Sequence, residues 1–213
     1  MKPYYDEDGI TIYHGDCREV LPSLDPGPRL AFADPPYGVG FKYGEAYEDV
    51  GGGAYLDLIL PAFKELQRIA QTVCVTPGMR FAYAYPPPKW MLAWFKPGSV
   101  RRSALGGFNE WEPILLYGEN KRMYHDAIRL PDAANHSVGP ASEHPCPKPL
   151  RLLTWIVENL SDPADTVVDP FAGSGTTLHA AKQLGRRAIG IEIEERYCEI
   201  AVQRLAQGVL EFG

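Results

Sequence analysis

Cysteine is scarce in this sequence, and what there is lies scattered. Cys17, Cys74, Cys146 and Cys198 form no C-x-x-C pair. That spacing excludes the common zinc and redox motifs and leaves reduced, partly buried thiols as the expectation. Long apolar runs are absent too, and none reaches the length needed to span a bilayer. The first ten residues, MKPYYDEDGI, carry no apolar signal-peptide core, so the expected location is the cytoplasm, with no membrane partner. Excess positive charge is missing: 21 Lys and Arg stand against 27 Asp and Glu, a formal net charge of -6. A nucleic-acid binder is usually basic, so only a local patch could steer one here. Arg101, Arg102, Lys121, Arg122, Lys148 and Arg151 are the candidates, each with a solvated surface charge as its plain alternative. His125 and His136 have no partner at ligand spacing, so no metal is expected. There is no internal repeat and no low-complexity tract.

What remains is ordinary globular material: 213 residues, 45% hydrophobic and 23% charged. That length suits a single domain spanning 1–213. The alternating, β-branched stretch ITIYHGD (Ile10 to Asp16) reads as a strand. RLAFAD (Arg29 to Asp34) and TVCVTP (Thr72 to Pro77) read as short buried strands bounded by proline or glycine. Leu56, Ile59, Leu60 and Phe63 recur at helical spacing within Ala54 to Ala70. The three prolines at 86–88 followed by Trp90, Met91 and Trp94 suggest a short helix ending at Phe95. WEPILLYG (Trp111 to Gly118) reads as a strand that Pro113 pushes towards a sheet edge. Residues 119–147 are polar and aperiodic, which reads as a long loop or small insert. Order returns with a helix marked by Leu150, Leu153, Val157 and Leu160, a strand ending at Asp169, and a helix from Thr177 to Leu184. A strand from Arg187 to Ile193 and a helix from Glu194 to Ala206 complete the chain. Strands alternating with helices predict a mostly parallel sheet covered on both faces.

Two stretches carry chemistry. In VVDPFAGSGTT (Val167 to Thr177) a strand runs through a glycine turn into a helix. Glycines there permit a sharp turn and close approach to a ligand, and the helix offers free N–H groups. No Gly-Lys-Ser/Thr follows, and the G-x-G-x-x-G spacing of a dinucleotide site is missing. Glu192, ending the next strand, is an acid suited to ribose hydroxyls. The combination fits an adenosine-containing cofactor without a pyrophosphate, and S-adenosylmethionine meets that description. In LAFADPPYGVG (Leu30 to Gly40) a buried strand ends in a carboxylate, two stiff prolines and an aromatic ring. Alone, Asp and Pro there would be turn residues. Placed at the same sheet edge as the glycine turn, Asp34 would face a shared crevice.

With these residues in view, the chain resembles the beta group of S-adenosylmethionine-dependent DNA amino-methyltransferases. DPPY (Asp34, Pro35, Pro36, Tyr37) resembles their catalytic tetrapeptide, DPFAGSGTT their cofactor loop, and GDCREVL and HPCPKP two further blocks. The resemblance implies a Rossmann-like methyltransferase fold of the α/β class: a central, mostly parallel seven-stranded sheet, helices on both faces, and the catalytic block ahead of the cofactor block. It implies DNA as the partner. Asp34 and the Pro35 carbonyl would accept hydrogens from the target amine, Pro35 and Pro36 would stiffen the backbone, and Tyr37 would stack on an extruded base. Asp169, Phe171, Gly173 and Gly175 would line the cofactor, with Ser174 and Thr176 donating around its amino-acid tail and Glu192 taking the ribose. Asp16 would approach the adenine amine, Cys17 would add a backbone contact, and Lys148 would meet the carboxylate. Asp16 is also a plausible helix cap.

HPCPKP departs from the family form at Cys146 and Pro147. The aromatic loop after Tyr37 could act as a flap or pack locally. The interval from Glu119 to Glu143, with Lys121, Arg122, Tyr124, His125, Arg129 and His136, is short for a target-recognition region. It could read a short site, alone or with a second subunit as a homodimer. Adenine N6 is the favoured target. The alternatives are cytosine N4, then an RNA or protein-amide methyltransferase, then a catalytically silent module keeping the cofactor fold. Whether a restriction partner accompanies it stays open.

Overall fold

The structure, a computed structural model, describes residues 1–36, 55–96, 109–120, 122–130 and 148–206, with the backbone alone at 42–43, 47–48 and 53–54. Its strands are β1 (Tyr5–Glu7), β2 (Ile10–His14), β3 (Leu30–Ala33), β4 (Lys42–Tyr43), β5 (Tyr47–Glu48), β6 (Thr72–Val75), β7 (Trp90–Phe95), β8 (Trp111–Gly118), β9 (Ala127–Arg129), β10 (Thr166–Asp169) and β11 (Arg187–Glu192). Its helices are α1 (Cys17–Val20), α2 (Gly53–Ile69), α3 (Gly78–Phe81), α4 (Leu150–Leu160), α5 (Thr176–Gln183) and α6 (Glu195–Ala206). No helix among the described residues is long and apolar enough to cross a membrane.

Nine strands form the main sheet among the described residues, in the order β1-β2-β11-β10-β3-β6-β8-β7-β9. The expected seven are its centre. The two extra strands, β1 and β9, are three-residue additions at opposite edges. From β2 to β6 neighbouring strands run parallel, and β8 enters antiparallel.

Side-chain alternation divides the core into two layers. In β3, Leu30 and Phe32 face the layer built with Leu152, Ile156, Leu178 and Ala201 of α4, α5 and α6. Ala31 and Ala33 face the layer built with α1 and α2. The crossover from β10 through α5 to β11 therefore covers one face, and that from β3 through α2 to β6 covers the other. The order reverses between β10 and β3, the switch point outside which open α/β sheets bind ligands.

Several expectations shift in the structure. Trp90–Phe95 is a strand, not a helix. It pairs along its whole length with β8, and its burial alternates at Leu92 and Trp94. β8 is interior, between β6 and β7. Pro113 is accommodated because its partner Ala93 donates its N–H away to Asp126, while β6 pairs with β8 only as far as Leu115. The buried stripe of α2 runs through Tyr55, Leu58, Ile59, Ala62, Phe63 and Leu66, whereas Leu60 is exposed. On α4, Leu152 and Ile156 are buried and Leu150 is exposed. The 119–147 stretch contributes β9, paired parallel to β7.

Candidate active site

Three carboxylates meet at the carboxyl edge of the sheet, and the register explains why. Val168 pairs with Ala31 and Asp169 with Gly190, so Asp169 stands level with Phe32. Asp34 and Glu192 each lie two residues farther out, on the strands flanking β10. All three alternate to the face covered by α4, α5 and α6. Asp169 is 2% exposed. Burial pushes its carboxyl up to about 7, the negative charges of Asp34 and Glu192 add to that, and the Thr177 hydroxyl and the Phe171 N–H oppose it. The Phe171 N–H donates to Asp169 Oδ1 at 2.9 Å.

The glycine loop closes on Glu192. Gly173 N–H donates to Glu192 Oε2 at 2.8 Å and Glu194 N–H to Oε1 at 2.9 Å. Burial raises the Glu192 carboxyl while these N–H groups lower it. A carboxylate has about four acceptor sites, and these N–H groups leave room for a hydroxyl donor. Gly173 and Gly175 both have positive φ, 51° and 75°. At Gly175 a Cβ would sit 2.7 Å from Ala201 Cβ in α6. Only glycine lets the helix approach there. Ser174 and Thr176 are buried. The Thr176 hydroxyl accepts from Arg204 of α6 at 2.6 Å, on the side of the loop facing that helix. Phe171 packs into the α1 and α2 layer and, with Ala33, Val75 and Tyr85, lines a small apolar hollow.

Asp34 follows β3, and its partners include Lys148 and Thr76, which sequence spacing does not link to it. Lys148 Nζ donates to Oδ1 at 2.6 Å and to Oδ2 at 2.8 Å. Thr76 Oγ1 donates to Oδ1 at 2.6 Å. Lys148 arrives from the start of α4, whose N-cap is Pro149. The family resemblance sets Lys148 against the cofactor's carboxylate. Here its ammonium lies on Asp34. Thr76 belongs to none of the sequence blocks. Its only sequence signal is a hydroxyl residue ending a buried strand just before a proline.

Asp16 caps α1, accepting from the Arg18 N–H at 2.8 Å and from its guanidinium, which holds the carboxyl below its usual range. It adjoins Glu192 through the Gly15 N–H, which donates to the Glu192 carbonyl at 2.9 Å. Cys17 is buried and its thiol is pushed up to about 12 by burial. Cys74 and Cys198 are free and buried as well. Pro35 is buried and Pro36 half-buried. Tyr37, most of the loop after it, Arg101, Arg102, Lys121, His136, Cys146 and Pro147 lie outside the described residues.

Two of the described basic candidates, Arg122 and Arg129, have structural work. Arg122 pairs with Asp162 and donates to the Glu158 carbonyl at 2.6 Å, pinning it to the end of α4. Arg129 lies 4.5 Å over the Phe95 ring, and Tyr124 packs edge-on against Trp155 at 5.5 Å.

An acidic edge with a glycine turn suits a cationic adenosine cofactor. Carboxylates attract a sulfonium, Glu192 offers ribose acceptors, and the turn grants close approach. Comparison with known proteins agrees. The N6_N4_Mtase family model, described as DNA methylase, matches residues 129–203. "Putative methylase YubD" of Escherichia coli (strain K12) is 31% identical over 207 residues, 90% of this chain and 88% of that protein. DNA adenine methyltransferase YhdJ of the same organism is 27% identical over 247 residues, 94% of this chain and 84% of YhdJ. The structure of TTHA0409 from Thermus thermophilus, a "Putative DNA Modification Methylase" complexed with S-adenosyl-L-methionine, is 27% identical with a TM-score of 0.65, covering 94% of this chain and 96% of that one.

Proposed function

The chain belongs to the N6/N4 family of DNA methylases, S-adenosylmethionine-dependent enzymes that methylate exocyclic amines in DNA, and from that premise we propose that it methylates adenine N6 with Asp34 as its catalytic carboxylate. One observation carries this reading: Asp34 and the glycine turn open onto the same switch point, with Asp169 and Glu192 between and beside them. The likeness to YhdJ supports adenine over cytosine.

The residues divide the work. Glu192 holds ribose hydroxyls, Gly173, Ser174, Gly175 and Thr176 wrap the cofactor, and Asp169 and Phe171 line it. Asp16 and Cys17 lie toward the adenine, and Lys148 carries the charge that meets the carboxylate. Bound S-adenosylmethionine supplies a methyl group on a sulfonium, whose carbon–sulfur bond pair leaves with sulfur as the new carbon–nitrogen bond forms. The amine lone pair is delocalised into the ring, so the base needs acceptors that draw nitrogen towards sp³ geometry. Asp34 Oδ2 and the Pro35 carbonyl accept hydrogen bonds from its two N–H groups. Lys148 yields that oxygen as the base enters, and the proton lost by the amine passes to Asp34. Pro35 and Pro36 keep both acceptors fixed, and positioning of this kind is worth roughly 7–11 kcal/mol. Tyr37 stacks on the extruded base, worth about 1–3 kcal/mol. Residues 119–147 serve as a reduced target-recognition segment in a single-domain enzyme, and most contacts there go to phosphate.

The test is direct. The protein is incubated with unmethylated DNA and S-adenosylmethionine, and the digested nucleosides are identified by mass spectrometry. N6-methyladenine is expected. N4-methylcytosine would move the target base, and no methylated nucleoside would overturn the assignment. Asp34→Ala should abolish transfer while cofactor binding by calorimetry persists.

A further inference from the structure

The register of β3 and β6 places a side chain beside Asp34 that no catalytic block contains. Ala33 pairs with Val75 in parallel, so Asp34 and Thr76 continue the ladder as direct neighbours on one face. Parallel strands hold such neighbours about 4.8 Å apart, within reach of short side chains. Pro77 keeps Thr76 extended, since a residue before proline is driven out of the helical region. Thr76 is 1% exposed, and its N–H donates to the Ala33 carbonyl at 3.0 Å. Its hydroxyl has one hydrogen. Asp34 Oδ1 lies at 2.6 Å, and the Ala33 carbonyl, already receiving the N–H, is the longer alternative at 3.4 Å.

We propose that Thr76 is a positioning residue: its hydroxyl fixes Asp34 Oδ1, so that Oδ2 is the oxygen presented to the target amine. The inference rests on the methyltransferase reading above. The carboxylate torsion of aspartate is soft, with a broad minimum. Lys148 touches both oxygens and does not distinguish them. A buried, one-hydrogen donor on a neighbouring strand does. When Lys148 gives way to the base, the Thr76 bond is what keeps the acceptor aimed at the incoming nitrogen rather than turned with the departing ammonium.

Thr76→Val keeps the branched shape and removes the donor, and Thr76→Ser keeps the donor and removes the methyl. Single-turnover methylation at saturating DNA and cofactor should fall roughly 10- to 100-fold in Thr76→Val, the cost of one hydrogen bond to a charged group. Cofactor affinity should stay within about threefold in that variant, and Thr76→Ser should stay within about threefold of wild type in rate. Thr76→Ala gives the same readout if the valine variant does not fold. A wild-type rate in Thr76→Val overturns the proposal. So does an equal loss in Thr76→Ser, or a loss of rate matched by a loss of cofactor affinity, because either result makes the residue a packing element. If the wild-type protein methylates nothing, the functional reading itself fails, and this inference fails with it.

Discussion

Asp169 is the residue whose chemistry is most shaped by its place. A carboxyl at the end of a central strand, under α5 and flanked by two acids, holds its proton until about pH 7. In the unfolded chain it would release that proton near its ordinary value of 3.8. Between those two values the native state binds the proton and the unfolded chain does not. Unfolding free energy therefore falls as pH rises through that window, by at most about 1.4 kcal/mol per pH unit, and levels off above it. Asp169→Asn cannot titrate, and its amide oxygen can still accept the Phe171 N–H. Its stability, measured by denaturant unfolding in the absence of cofactor, should decline less than that of wild type between pH 4 and pH 7. Parallel curves for the two proteins would show that Asp169 is ionised throughout. The same crowding has a functional side, because a cation bound here would offset the charges of Asp34 and Glu192 and draw Asp169 towards its ionised form.

Among the elements, the unit of β10, glycine loop and α5 was legible because its signals are local. A buried strand, two glycines and a helix start follow one another without a break. The strand β7 was not legible. Its first two residues, Trp90 and Met91, are large and apolar but exposed at 55% and 45%, which hides the alternation of Leu92 and Trp94. Three prolines before it mimic a helix start, and only the pairing with β8 decides the outcome. Asp34 and the glycine loop could be found from sequence, whereas their partners could not. Lys148 is 114 residues from Asp34 and Thr76 is 42. Only sheet register and the seating of α4 bring them together. The packing of α5 on α6 yields its own prediction. Gly175→Ala puts a Cβ 2.7 Å from Ala201 Cβ on a backbone of φ 75°. The clash and the strained backbone should together cost about 1–3 kcal/mol, seen as a lower denaturant midpoint with an unchanged slope. An unchanged midpoint would mean that α6 moves aside freely.

At the scale of the whole molecule, the crevice joins two halves with separable duties. The later half, β10 through α6, supplies the glycine loop and Glu192. The earlier half supplies Asp34 and Thr76, and Lys148 reaches across from the start of α4. A ligand that binds only the folded state adds stability set by its concentration relative to its dissociation constant. S-adenosylmethionine at a hundredfold excess over that constant should add about 2.7 kcal/mol, or roughly 5–10 °C in melting temperature for a chain of this size. The two halves should then respond differently. Glu192→Ala releases the Gly173 N–H and removes the acceptors proposed for the ribose, so its melting temperature should no longer rise with cofactor. Asp34→Ala leaves the loop intact and should keep the full rise while losing methyl transfer. The shift with ligand, rather than the absolute melting temperature, is the quantity to compare, because Glu192→Ala also loosens the loop without ligand. Equal loss of the shift in both variants would mean that the cofactor depends on the Asp34 side as much as on the glycine loop, and the division of labour between the halves would not stand.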